Sequence, residues 1–125
     1  MSKIFSIVLL TLSIMGTFLV NRTSDYEIKT NYNMDHKWIK LPTQTGALNI
    51  ELITRNEIEK VSFWLVPMGT SGWRFRTLLG IDDNGTDGWR LKWQFSNTTI
   101  YDHIVIEISR TDGETDSYIL NVSNQ

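Results

Sequence analysis

The sequence predicts an all-β protein, an antiparallel sandwich of about seven strands, and three observations carry that prediction. Beyond residue 46, apolar side chains recur at every second position in run after run. The segments between the runs consist of turn formers, as in "PMGTSG", "DDNGTDG" and "RTDGET". After Val20 no stretch shows the i, i+3, i+4 apolar spacing with which a helix buries one face. Short alternating strands about 10 to 15 residues apart stack as two layers around one core. At 125 residues the chain is expected to hold one domain at most.

The N-terminal stretch differs from the rest. "KIFSIVLLTLSIMGTFLV", Lys3 to Val20, has one cation at its front and no acid, and then the chain turns polar with "NRTSDYEIKTN". Such a run is too evenly apolar for a core helix, which would keep a polar face. Its length lies between the apolar stretch of a secretory signal and a membrane span. Residues 1–20 are therefore expected to be a hydrophobic export helix, either a cleaved signal peptide or a single-span anchor with the following domain outside. Membrane contact is expected only through residues 4–20. The chain has no cysteine, so the remaining residues must hold together without disulfides, and they suffice for one core.

Residues 21–46 are expected to give one or two strands and a linker. Tyr26 and Ile28 alternate, as do residues around Trp38, and Pro42 and Gly46 then break the pattern. The sandwich proper is expected over 47–125, with strands of 24–46 able to join it. "ALNIELIT" sets Leu48, Ile50 and Leu52 on one side. "IEKVSFWLVP" does the same with Val61, Phe63 and Leu65, and Pro67 stops it. In "WRFRTLLGI", Trp73 and Phe75 alternate with Arg74 and Arg76. "GWRLKWQF" opposes Trp89, Leu91, Trp93 and Phe95 to Arg90, Lys92 and Gln94. "DHIVIEIS" opposes Ile104, Ile106 and Ile108 to Val105 and Glu107, and "DSYILNVS" opposes Tyr118, Leu120 and Val122 to Ile119 and Asn121.

The pieces from Val61 onward occur in a familiar order: Val61 and Phe63, then Leu79-Gly80 with Asp82, then Asp87-Gly88-Trp89 with Trp93, then Asp112-Gly113. Over roughly residues 47–123 the chain resembles the bacterial immunoglobulin-like (Big-type) modules of secreted and cell-surface proteins. The resemblance implies an immunoglobulin-like sandwich at the cell surface or outside the cell, with Trp93 as a buried aromatic.

Chemistry-bearing residues are sparse. Asp82, Asp83, Asn84 and Asp87 offer hard oxygens of the kind calcium takes, but the twelfth position of a loop begun at Asp83 is Gln94, without a carboxylate. Asn84-Gly85 between alternating runs is also a strong hairpin signal, so a plain turn competes with a calcium loop. His36 and His103 each follow an aspartate, yet there is no cysteine and no G-x-S-x-G turn, so neither catalysis nor a cofactor is expected. His103 is expected to cap the start of its strand. The sequons at Asn21, Asn97 and Asn121 are about what chance supplies.

The net charge of −2 and the lack of like-charge blocks argue against nucleic acid as a partner. Function is then expected to lie in a surface. Trp89 and Trp93 alternate with the core, whereas Trp64 points away from Val61 and Phe63, and Trp73 sits in a glycine-flanked loop. Trp64, Trp73, Arg74, Arg76 and Arg90, with Trp38 as a further contact, form the candidate ligand surface. If "GWRFR" and "GWRLKW" are neighbours, Arg74, Arg76, Arg90 and Lys92 make a positive stripe. The expected role is a non-catalytic binding module for a protein or a cell-wall glycan. The alternative is a carbohydrate-binding module using its exposed tryptophans and arginines.

Overall fold

The computed structural model describes residues 25–69 and 71–125. The expected export helix over 1–20 lies outside the described residues, and within them no helix is long and apolar enough to cross a membrane. In chain order the strands are β1 (Tyr26–Thr30), β2 (Met34–Asp35), β3 (Trp38–Lys40), β4 (Gly46–Thr54), β5 (Ile58–Pro67), β6 (Thr77–Asp82), β7 (Trp89–Phe95), β8 (Tyr101–Arg110) and β9 (Thr115–Ser123). They form a three-stranded sheet in the order β1-β4-β7 and a six-stranded sheet in the order β2-β3-β9-β8-β5-β6.

The period-2 pattern explains the layering. Leu48, Ile50 and Leu52 of β4 share a core with Val61 and Phe63 of β5, Ile104, Ile106 and Ile108 of β8, and Leu120 and Val122 of β9. All of these are at most 1% exposed. Burying each such side chain contributes about 1.5–3 kcal/mol. Trp89 and Trp93 lie on the inner side of β7 and pack half-buried against this core, with Leu91 and Phe95 buried beside them. Trp89 lies so close over Gly85 that a β-carbon there would be 2.4 Å from the indole.

Residues 26–40 enter both layers. β1 pairs antiparallel with β4 in the small sheet, whereas β3 runs parallel to β9 in the large one. Asn31 secures the crossing, its amide donating to the Ala47 carbonyl (2.9 Å) and its carbonyl accepting from the Asn49 N–H (2.8 Å).

Four sequence expectations are corrected. The described residues contain nine strands, the extra ones being short pieces before residue 46, and one pair is parallel. Trp73 to Phe75 are not strand: Gly72–Phe75 is a 3₁₀ turn, because Gly72 packs where no side chain fits and the Arg74 and Arg76 N–H groups bond back to Ser71 and Trp73. Asn84-Gly85 does not close a two-residue hairpin, since Asn84 has φ −134° and caps a 3₁₀ turn over Gly85–Asp87. That turn carries the chain from β6 in one sheet to β7 in the other. Finally, His103 lies inside β8 rather than capping it, with Nδ1 2.7 Å from Asn121 Oδ1.

A polar cluster ties the sheets at one end. The Tyr26 hydroxyl of β1 donates to the Asp116 carboxylate of β9, which also accepts from Arg110 Nη1 at 3.1 Å. Arg110 Nη2 reaches Asp112 Oδ2 at 2.6 Å. The Tyr26 hydrogen bond, with Arg110 beside it, holds the Asp116 carboxyl below the usual range, and Arg110 does the same to Asp112. Desolvation, and then the neighbouring Asp116, raises the Tyr26 hydroxyl. A carboxylate lowered in the folded state stabilises it above the ordinary value of 3.8, and this stability is lost as pH falls through the lowered value. A raised tyrosine stabilises below its ordinary 10.0 and loses this as pH rises past it. Urea titrations across pH should therefore show an acid limb that Asp116→Asn flattens and an alkaline limb that Tyr26→Phe flattens.

Candidate functional site

The outer face of the six-stranded sheet carries an unbroken apolar row. Ile119 of β9 stands opposite Val105 of β8, Val105 opposite Trp64 of β5, and Trp64 opposite Leu78 of β6. With strands about 4.8 Å apart, the row spans roughly 14 Å of solvent-facing sheet. Its ends are open, Ile119 being 47% and Leu78 44% exposed. Val105 is buried between its neighbours. Ser62, Glu107 and Ser117 flank the row on one side, with Ile81 beside Ser62, and Val66, His103 and Asn121 flank it on the other.

A bulge builds the β6 end. Phe63 pairs with Gly80 and Trp64 with Leu78, so Leu79 is an extra residue on the edge strand. Without it, Leu78 and Ile81 would face opposite ways. With it, Ile81 pairs with the outward Ser62 and Leu78 with the outward Trp64.

The 3₁₀ turn then lays aromatic and cationic groups against Trp64. The Trp64 and Trp73 rings meet edge to face at 5.9 Å. The Arg76 guanidinium sits over both, 4.8 Å from the Trp64 centroid and 4.3 Å from that of Trp73, and donates to the Trp73 carbonyl at 3.0 Å. Arg74 lies over Phe75 at 5.7 Å. The indole N–H of Trp64 donates to Glu107 Oε1 at 2.9 Å. Trp73 remains 42% exposed. Acrylamide should therefore quench a substantial part of the tryptophan emission, and the Trp73→Phe and Trp38→Phe changes together should remove most of the accessible fraction.

The fold thus unites four of the sequence candidates, Trp64, Trp73, Arg74 and Arg76, and separates the fifth. Arg90 lies on the outer side of the small sheet, 3.8 Å from Glu51, so the condition for a cation stripe with Arg74 and Arg76 is not met. The reason is topological: β6 and β7 belong to opposite sheets. The oxygens of the candidate calcium loop serve the turn itself. Asp82 accepts from the Asn84 N–H (3.1 Å) and the Arg90 N–H (2.8 Å), and Asn84 Oδ1 accepts from Thr86 N–H and Oγ1. Asp83 and Asp87 are exposed, and among the described residues no three metal-ligating side chains converge.

Leu78, Ile81, Val105 and Ile119 were not among the candidates. Apolar residues on both sides of "IVIEI" and "SYIL" are the signal that a strand has something to cover on its outer face too.

No protein-family model matches the chain, and no curated protein matches it. Among solved structures, a superoxide reductase (neelaredoxin) from Ignicoccus hospitalis superposes with a TM-score of 0.55 at 7% identity. The match covers 83% of this chain and 85% of that one. The likeness is one of fold alone. It places the two sheets in an architecture that a very different sequence also adopts.

Proposed function

We propose that the chain is an exported immunoglobulin-like module of the Big type. On this reading it is non-catalytic and holds a protein partner against the outer face of its six-stranded sheet, at the bacterial surface or outside the cell. The strand order supports the immunoglobulin-like part. β1-β4-β7 corresponds to the A-B-E strands of that fold and β9-β8-β5-β6 to G-F-C-C′. The apolar, uncharged run over residues 4–20 supports export.

The observation that carries the binding role is the Ile119–Val105–Trp64–Leu78 row. Aliphatic groups and tryptophan at the centre, small polar groups around them and an arginine at the rim are the anatomy of a protein contact. The row itself has no free hydrogen-bonding group for a sugar, the Trp64 N–H being taken by Glu107. Immobilised protein, exposed to cell-surface extract from the source organism, should retain a partner that Leu78→Glu and Ile119→Glu each release. Both side chains are exposed, so both variants should melt like the parent. A loss of at least tenfold in affinity is expected. Undiminished capture by both variants would exclude this face.

A second reading has its own observation. Among the described residues neither Arg74 nor Arg76 makes an ion pair with a carboxylate. Unpaired guanidinium groups beside an exposed indole suit an anionic wall glycan. Capture by protease-treated wall polymer, abolished by Arg76→Gln, would favour that reading over a protein partner.

A further inference from the structure

At the other end of the large sheet, four strands from β6, the β2–β3 hairpin carries a separate arrangement. Asp35 pairs with Trp38 across a two-residue turn whose central residues, His36 and Lys37, have φ of 51° and 67°. Two consecutive positive φ values are the backbone of a type I′ turn, for which Asn-Gly is the favoured pair. His36 and Lys37 hold it against the clash of their own β-carbons. Among the described residues they are the only non-glycine residues with positive φ. The turn is fixed from below: the Lys37 carbonyl accepts from the Asn121 N–H at 2.8 Å, and the Lys37 ammonium lies 4.6 Å over the Tyr118 ring.

The strained turn presents Trp38. Its ring stacks on Tyr101 of β8, with centroids 5.7 Å apart and planes inclined at 29°. Both are open to solvent, Trp38 at 38% and Tyr101 at 51%. Beside them is a hollow of about 490 Å³ lined by Asn33, Asp35, His36, Trp38, Ile39, Lys40 and Ser123. Its lining carries one carboxylate, Asp35, and one ammonium, Lys40. His36 Nδ1 is 2.7 Å from Asp35 Oδ1, and the Lys40 ammonium donates to the Gln125 carbonyl.

We propose that this hollow is a subsite for a neutral saccharide, with one pyranose ring stacked on Trp38 and its hydroxyls on Asp35, Asn33 and Ser123. One face of a pyranose is a patch of C–H groups, apolar and slightly positive, which complements the negative face of an indole. Its rim of hydroxyls needs donors and acceptors together, as an amide, a carboxylate and a hydroxyl supply. With one ammonium and one carboxylate in its lining, the hollow has no net positive charge for a phosphate or polyanion. It also lacks the exposed aliphatic side chains of the Trp64 row, Ile39 being buried, so a peptide has little to grip. Because Trp38 is already stacked on Tyr101, less ordering is needed on binding.

The full chain, titrated with the soluble tetrasaccharides of N-acetylglucosamine and of β-linked glucose, tests this by amide chemical shifts and tryptophan emission. At least one sugar should bind, with shifts confined to residues 33–40 and the neighbourhoods of Tyr101 and Ser123. Trp38→Ala and Tyr101→Ala should each weaken that binding at least tenfold, whereas Trp73→Ala should leave it unchanged. If Trp38→Ala fails to fold, the shift map of the unaltered protein and the partial loss in Trp38→Phe decide the matter. Absence of shifts with both sugars at about 10 mM, a map centred on Trp64 and Trp73, or binding indifferent to Trp38 would each overturn the assignment.

Discussion

Phe63→Ala is expected to lower the free energy of unfolding by about 3–5 kcal/mol. Phe63 is the largest of the fully buried side chains and lies in β5, between β8 and the edge strand β6. Ile106 stands opposite on one neighbouring strand and Gly80 on the other. Gly80 has no side chain that could fold into the space. The void would therefore stay largely open between the sheets. Domains of this size are stable by only about 5–15 kcal/mol, so the loss is a large fraction of the whole. A fall in Tm on the order of 20 °C follows from the usual unfolding entropy. Thermal melts followed by circular dichroism, with urea titration for the free energy, measure it. A cost below about 1 kcal/mol would mean that β5 is not the centre of the core.

Gly72→Ala should damage the outer face while leaving the core intact. A β-carbon on Gly72 would sit 2.0 Å from the Pro67 carbonyl oxygen and 3.2 Å from Val66 Cγ1. The first of these is backbone, so no rotamer change relieves it, and the 3₁₀ turn must move away from β5. Overpacking of this kind costs about 1–3 kcal/mol. The displacement also lifts Trp73 and Arg76 off Trp64, so the indole emission should shift to the red and partner capture should fall. Trp73→Ala separates the two effects. It removes the ring without moving the backbone, and should weaken binding with a smaller drop in Tm. If Gly72→Ala melts like the parent protein, the turn is not packed on β5 as described.

Most of the layered core was legible because burial between two sheets imposes a period of two on every long strand. β4, β5, β7, β8 and β9 all fall on runs whose alternation is visible. The misreadings share a physical cause: long-range packing overrode a convincing local pattern. Trp73-Arg74-Phe75-Arg76 alternates like a strand, yet Gly72 wedged beneath Pro67 winds it into a turn. Asn84-Gly85 has the composition of a tight hairpin, but its flanking strands part into different sheets, and that division depends on partners far along the chain. The candidate site was half visible for the same reason. Trp64, Trp73 and Arg76 stood out as residues with no place in the core. The row they complete exists only when Val105, Ile119 and Leu78 come into register, and the Leu79 bulge that turns Leu78 outward leaves no local mark.

The parallel pairing of β3 with β9 has a mechanical consequence. The Lys37 carbonyl to Asn121 and Leu41 to the Ser123 carbonyl, both 2.8 Å, bridge an early strand and the last one while both point the same way. Tension between the segment entering β3 and the segment leaving β9 would slide the two strands lengthwise past each other. Such shear strains every bridge at once instead of peeling them open singly, so a tethered molecule would resist stretching best along this axis.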